Sequence, residues 1–265
     1  MNETAAPTEP WFVPLAADRR EGPRLLFFPH AGGGPASLTG LAEALAEVAP
    51  EISPWAMSLP GRQGRINEPP RADLMRLLEE VDGQLEPLLE HPCVLFGYCG
   101  GALLAYLVAR RMNDLGHPPV RLIVCSAPAP DLGLYPRRLH LLPGGEFWAE
   151  VLAQGGVPPE LAERQELRPL FEPAIRADFA LLADYRHEPM APLSCPVTLL
   201  YGESDTGLHL GQLLGWRRQT AAGFTARSLP CSHWPAEEVP ELLARTVAEE
   251  FGVAEEPRRS DHREG

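Results

Sequence analysis

Lysine is absent from this 265-residue chain, and all 23 basic residues are Arg. With 30 Pro and abundant Ala and Gly, that bias records a GC-rich genome rather than a function. Positive charge as a whole is short: 36 acidic residues leave a formal net charge of −13. A nucleic-acid or anionic-membrane partner needs a basic footprint, so neither is expected. Any acidic partner must meet a local Arg patch. Cysteine is sparse too, with five at irregular spacing (Cys93, Cys99, Cys125, Cys195, Cys231). That odd number gives neither a disulfide framework nor a zinc pattern, and no metal is expected. Cys93, Cys125 and Cys195 fall in or beside strand patterns and read as small core residues. Also missing are a basic n-region with an apolar h-region and any apolar run of membrane-spanning length. The expected location is therefore cytoplasmic, without a signal peptide.

What is present suffices for one large domain, since 45% of the chain is hydrophobic. Residues 1–22 are polar and Pro-rich and residues 253–265 are charged; both read as mobile ends around a domain spanning 23–252. Strand patterns fall at Leu25–Phe28, Ile52–Ser58, Cys93–Phe96, Val120–Cys125, Val197–Tyr201 and Phe224–Leu229. Helical patterns fall at Leu38–Val48, Ala72–Leu89, Gly100–Asn113 and Val239–Phe251. Such alternation specifies an α/β fold, a mostly parallel sheet with helices on both faces. From about 131 to 188 only helical segments occur, Gly145–Gln154 and Phe171–Arg186 among them. An excursion of that length between two strands reads as an inserted helical lid.

The chemistry concentrates at Phe96-Gly97-Tyr98-Cys99-Gly100-Gly101, between a strand pattern and a helix pattern. Glycines two before and two after a residue at such a turn let strand and helix pack closely, the form of a nucleophile elbow, here carrying Cys. The following helix N-terminus favours a thiolate and an oxyanion. A Gly-flanked buried Cys without chemistry is the plain alternative. A nucleophile needs a base, an orienting acid and oxyanion donors. In this topology the acid follows a late strand, which selects Asp205 in Gly202-Glu203-Ser204-Asp205, with Glu203 and Asp131 as weaker alternatives. The histidine belongs after the last strand, where His233 stands. Oxyanion donors are the backbone N–H groups of Gly100 and of Ala31, the latter in Phe28-Pro29-His30-Ala31-Gly32-Gly33-Gly34. That loop lacks a P-loop Lys and dinucleotide-fingerprint spacing. His30 reads as a structural residue.

With these residues in place the chain resembles the type II thioesterases, stand-alone α/β hydrolases that accompany modular polyketide and nonribosomal peptide synthetases in antibiotic biosynthesis. The similarity runs from about Arg24 to Phe251. It is carried by Phe28-Pro29-His30-Ala31-Gly32-Gly33, by Pro60-Gly61-Arg62 with Glu68-Pro69, and by the elbow with Gly101-Ala102-Leu103-Leu104-Ala105. Leu141-Leu142-Pro143, Glu146-Phe147, Gly155-Gly156, Arg176-Ala177-Asp178 and Trp216-Arg217 extend it. The intervals fit as well, 106 positions from Cys99 to Asp205 and 28 from Asp205 to His233. The chain departs from the family pattern at Tyr98 (usually His), Gly100 (usually Met), Thr206 (usually Pro) and above all Cys99 (usually Ser).

The resemblance implies an α/β-hydrolase fold with a Cys99–His233–Asp205 triad and no cofactor of its own. It implies as substrate an acyl or aminoacyl thioester on the phosphopantetheine of an acyl or peptidyl carrier protein. A cysteine changes the chemistry, because exchanging one thioester for another is nearly balanced and leaves the acyl group activated. Three readings follow: a thioesterase releasing the acyl group, an acyl- or aminoacyltransferase passing it to another thiol or an amine, and a non-catalytic carrier-binding protein. Arg62, Arg65, Arg137, Arg138, Arg217 and Arg218 are the candidates for docking an acidic carrier.

Overall fold

The computed structural model describes residues 10–16, 22–85, 88, 90–132, 138–153, 157 and 162–252. Among these, one sheet contains β1 (Phe12–Pro14), β2 (Arg24–Phe28), β3 (Ser53–Met57), β4 (Cys93–Tyr98), β5 (Arg121–Cys125), β6 (Val197–Gly202) and β7 (Phe224–Leu229). Their spatial order is β1-β3-β2-β4-β5-β6-β7. Only β1 runs antiparallel to its neighbour, and all other pairs are parallel. The helices are α1 (Thr39–Val48), α2 (Leu74–Asp82), α3 (Gly101–Asp114), α4 (Gly144–Ala153), α5 (Arg168–Asp184), α6 (Leu210–Leu214), α7 (Pro235–Glu238) and α8 (Pro240–Gly252).

The inner strands β2 to β6 are largely apolar on both faces because both are covered, as parallel sheets require, whereas the edge strand β7 is buried only at Leu229. Leu25, Phe27, Val94, Phe96, Ile123 and Leu200 pack with Leu41 and Leu45 of α1 and Leu243 and Val247 of α8. The alternate residues Leu26, Phe28, Leu95, Leu122, Val124 and Leu199 join Leu77 and Val81 of α2 and Leu103 of α3 on the other side. Asp73 caps α2 by accepting the Arg76 N–H at 3.1 Å, the usual role of Asp at that position.

Two features position the site. From β2 the chain passes through α1 to β3 on one side, then through α2 to β4 on the other. The carboxyl ends of β2 and β4 thus flank the point where the connections diverge, the place where open α/β sheets leave a crevice. Between β5 and β6 the described residues hold 3-10 turns, α4 and α5 and no strand longer than an isolated bridge. The carboxyl half of α5 is almost wholly buried, including Ile175, Asp178, Phe179 and Leu182.

The polar amino-terminal segment read as mobile requires a correction. Phe12–Pro14 is strand β1, paired with Trp55–Met57, and Trp11 and Phe12 are buried. Phe12 meets Phe28 edge to face at 5.6 Å, and the Arg65 guanidinium lies 4.6 Å over the Trp11 ring. Residues 1–9 and 17–21, and the expected charged tail at 253–265, lie outside the described residues. No described helix is long and apolar enough to cross a membrane.

The packing of β4 on α3 yields a stability prediction. A Cβ on Gly97 would lie 2.4 Å from Ala102 Cα and 2.9 Å from Ala105 Cβ. Gly97→Ala should therefore destabilise the fold by about 3 kcal/mol, the upper end of the overpacking range. Chemical denaturation measures this, and an unchanged midpoint would refute the close contact.

Candidate active site

Cys99 has φ of +50°, a left-handed conformation that a non-glycine residue adopts at a cost. Its N–H donates to the Cys125 carbonyl at 2.8 Å, and Ala102 N–H closes the first turn onto the Cys99 carbonyl at 3.0 Å. The thiol thus stands at the start of α3, at the crevice. The glycine after next is equally constrained: a Cβ on Gly101 would lie 2.1 Å from the Phe28 carbonyl oxygen.

His233 and Asp205 arrive on two loops stitched together by backbone. Glu203 N–H donates to Leu229 O at 2.9 Å, and Ser204 N–H to Cys231 O at 3.0 Å. Gly202 permits this, since a Cβ there would lie 1.8 Å from Ser232 O. Across the two loops His233 Nδ1 is 2.7 Å from Asp205 Oδ2. The Asp205 side chain is buried, and its Oδ1 accepts the Gly207 N–H at 2.9 Å. With Nδ1 engaged, Nε2 is left for the hydrogen bond between His233 and the Cys99 side chain. The two weaker acid candidates are occupied elsewhere: Glu203 accepts from Ser228 Oγ at 2.8 Å, and Asp131 is paired with Arg218 at 2.6 Å. The His233 loop is further held by Glu238, which accepts from the Ser232 N–H and hydroxyl.

Ala31 and Gly100 lie side by side. A Cβ built on Gly100 would sit 3.6 Å from Ala31 N. The two residues line one small cleft with Pro29, Leu59, Gly101, Leu104, Asp178, Leu181 and Leu182. Its walls are apolar except at Asp178. His30 packs edge to face on Tyr98 and Trp234, and its Nδ1 lies 3.0 Å from Ala31 O. Burial lowers its pKa to about 4, so the ring is neutral and Nδ1–H donates to that carbonyl. This suits the structural part expected of it.

The electrostatics separate Cys99 from the other cysteines. Burial pushes the thiols of Cys93, Cys195 and Cys231 up to about 11, and that of Cys125 higher still. At His233 burial acts to lower the pKa, but the Cys99 thiolate and the Asp205 carboxylate, each with its hydrogen bond, outweigh it and raise the value to about 10. Asp205 balances burial, which raises its pKa, against the stronger combined pull of His233 and backbone N–H donors, and ends below the ordinary range. A carboxylate, an imidazole and a thiol joined by hydrogen bonds, beside two neighbouring backbone N–H groups, are the groups that attack on a carbonyl carbon and support of an oxyanion require.

Several residues of the site were invisible to sequence reasoning. Tyr98, buried before the turn, donates to Glu237 Oε2 at 2.7 Å and so ties the Cys99 turn to α7. Arg62 and Arg65, expected at a docking surface, are 3% and 5% exposed. Arg62 pairs with Asp178 and Arg65 with Glu68, each at 2.6 Å. Arg62 had one signal, its place in a motif that carries the family resemblance, and Arg65 had only its partner Glu68 in such a motif. Arg138, Arg217 and Arg218 are exposed, while Arg137 lies outside the described residues.

A profile of the thioesterase domain family matches residues 23–250. The gramicidin S biosynthesis protein GrsT of Aneurinibacillus migulanus is 30% identical over 225 residues, 84% of this chain and 87% of its own length. Thioesterase PikA5 of Streptomyces venezuelae is 34% identical over 214 residues, 80% of this chain and 74% of its own. Among solved structures, the type II thioesterase BorB of the borrelidin biosynthetic cluster is similar with a TM-score of 0.79 and 29% identity. That likeness covers 91% of this chain and 96% of BorB.

The charge arrangement has a pH signature. Because the folded-state pKa of His233 lies above its ordinary 6.5, the imidazolium persists up to about pH 10. Its contribution to stability is fully present below pH 6.5 and is lost as pH rises through about 10. Asp205→Asn removes a negative neighbour and should move the titration to lower pH. NMR of the labelled ring reads this directly, and a midpoint near 6.5 in the unsubstituted chain would eliminate the ion pair.

Proposed function

The chain belongs to the thioesterase domain family and is a thioester hydrolase with the α/β-hydrolase fold, and on that premise we propose that it releases acyl or aminoacyl groups from carrier-protein phosphopantetheine through an acyl-Cys99 intermediate. The observation that carries this reading is the line of Asp205, His233 and Cys99 beside the Ala31 and Gly100 N–H groups. GrsT and PikA5 bear the names of a biosynthesis protein and a thioesterase. That kinship supports a carrier-bound substrate in polyketide or nonribosomal peptide assembly.

In the first half-reaction the Cys99 thiolate attacks the thioester carbonyl carbon. The oxyanion forms against Ala31 N–H and Gly100 N–H. The intermediate collapses with cleavage of the bond to the pantetheine sulfur, and the His233 imidazolium gives that sulfur its proton. In the second half, neutral His233 takes a proton from water as the water oxygen attacks the acyl-Cys99 carbonyl. Collapse releases the carboxylic acid and restores the thiolate–imidazolium pair. Asp205 orients the ring and stabilises its positive charge throughout. The acyl chain is directed toward the apolar cleft beside Gly100, where Leu181 and Leu182 must give way to admit it.

Sulfur at position 99 favours acyl transfer as the second reading. The intermediate is itself a thioester, so a second thiol or an amine competes with water at little thermodynamic disadvantage. A carrier-binding protein without chemistry would have no use for the charge line.

Two experiments test these assignments. Mixed with acyl-loaded carrier, the enzyme should gain the acyl mass at Cys99 in intact-protein mass spectrometry, and the acyl group should leave as free acid. Cys99→Ala should show no adduct and no turnover, while Cys99→Ser should keep the fold and shift any transfer toward hydrolysis. An adduct on another cysteine would move the nucleophile, and delivery of the acyl group to an added thiol or amine would establish the transferase reading. On a chain of net charge −13, docking of an acidic carrier falls to exposed Arg138, Arg217 and Arg218. Charge reversal at Arg217 and Arg218 should raise KM for carrier-bound substrate several-fold and leave small soluble thioesters unaffected. Equal loss on both substrates would remove these residues from the docking surface.

A further inference from the structure

The Arg62–Asp178 pair is buried, bidentate and away from the charge line. Arg62 donates through its two terminal nitrogens to Asp178 Oδ2 at 2.6 Å and Oδ1 at 2.8 Å. Both partners also hold the backbone of the loop after β2. Asp178 Oδ2 accepts the Gly32 N–H at 2.7 Å, and Arg62 donates to the Gly33 carbonyl at 3.0 Å. These are the two peptide positions directly after Ala31. The same helix, α5, touches that loop again, since a Cβ on Gly32 (φ +78°) would lie 2.5 Å from Ile175 Cγ1. It reaches the other side of the site as well, where Leu182 Cδ1 would lie 3.0 Å from a Cβ on Gly100. Helix α5 therefore rests on both oxyanion donors, and on the Ala31 side the contact is a charged clamp on the donor's own loop.

We propose that Asp178, with Arg62, is a positioning residue that fixes the direction of the Ala31 N–H and so sets the oxyanion hole from α5. The proposal rests on Cys99 as the nucleophile. Asp178 performs no proton transfer: both carboxylate oxygens are taken by Arg62 and Gly32, and the side chain acts through the loop. The pair makes the seating of α5 a condition for acylation, because the helix that roofs the cavity also supplies the carboxylate that aims the donor.

The test separates two reactions of the same sulfur. Alkylation of Cys99 by iodoacetamide needs the thiolate and no oxyanion donor, whereas acylation by a soluble acyl thioester needs both. Asp178→Asn should slow acylation about 10- to 100-fold, up to the scale of losing one oxyanion donor, with the alkylation rate within about twofold of the unsubstituted enzyme. Because a lone buried guanidinium endangers folding, the double variant Arg62→Met, Asp178→Leu is measured alongside. It fills the space without charge and should show the same split. If acylation and alkylation fall together, the pair serves the fold alone and the proposal fails; it fails equally if acylation is unchanged in both variants. Should the unsubstituted enzyme be alkylated at Cys99 yet never acylated there, the nucleophile assignment itself falls and takes this proposal with it.

Discussion

The left-handed turn at Cys99 governs how closely other backbone can approach the sulfur, and the rest of the site is arranged around that space. The turn brings the last residues of β4 against the first of α3, leaving no room for a Cβ at Gly97 or at Gly101. A side chain at Gly101 would strike the Phe28 and Pro29 carbonyls and push away the end of β2, carrying Ala31 away from Gly100. The same logic recurs where β6 ends. Gly202 lies so near the Ser232 carbonyl that the Asp205 and His233 loops can share backbone hydrogen bonds. Distances between side chains from three strands are thus set by main-chain contacts, which yield far less than rotamers do.

Geometry alone does not make one cysteine reactive. All five are buried, and burial by itself favours the neutral thiol. What distinguishes Cys99 is the chain of charge behind it. Asp205 stays ionised because His233 and backbone N–H groups offset its burial. That fixed negative charge, with the thiolate, keeps His233 protonated against its own burial. Coupling is reciprocal, so a thiolate that favours the imidazolium is favoured by it to the same extent. On the proposed mechanism the pair forms before substrate arrives, unlike a serine that must lose its proton during attack.

The layered fold and the central residues of the site were legible in the sequence because each obeys a local rule. Six strand patterns stand within two residues of β2 to β7, since parallel strands buried on both faces read as short apolar runs between turn residues. Cys99, Asp205 and His233 could be singled out because each sits where a strand's carboxyl end must place it. Strand β1 was missed, as three residues ending in Pro14 carry no period that a Pro-rich polar segment would not also show. The fate of Arg62 and Arg65 was hidden for a different reason. A guanidinium is exposed by default, and only the tertiary partners Asp178, Glu68 and the Trp11 ring reverse that. The Tyr98–Glu237 tether, spanning 139 positions, likewise has no sequence signature.

Placing Arg62 and Asp178 in the interior is not a natural way to gain stability. Desolvating two charges offsets most of their attraction, and apolar side chains of the same volume often serve as well. Such a replacement here would strand the Gly32 N–H, which donates to Asp178, and the Gly33 carbonyl, which accepts from Arg62; among the described residues neither has another hydrogen-bond partner. Each stranded group would cost about 1–3 kcal/mol. The loop would escape that cost by turning its peptides toward water, and Ala31 belongs to the same run of peptides. An ion pair that contributes little net stability therefore still selects one loop conformation over its alternatives. That conformation is the one in which Ala31 N–H and Gly100 N–H stand together beside Cys99.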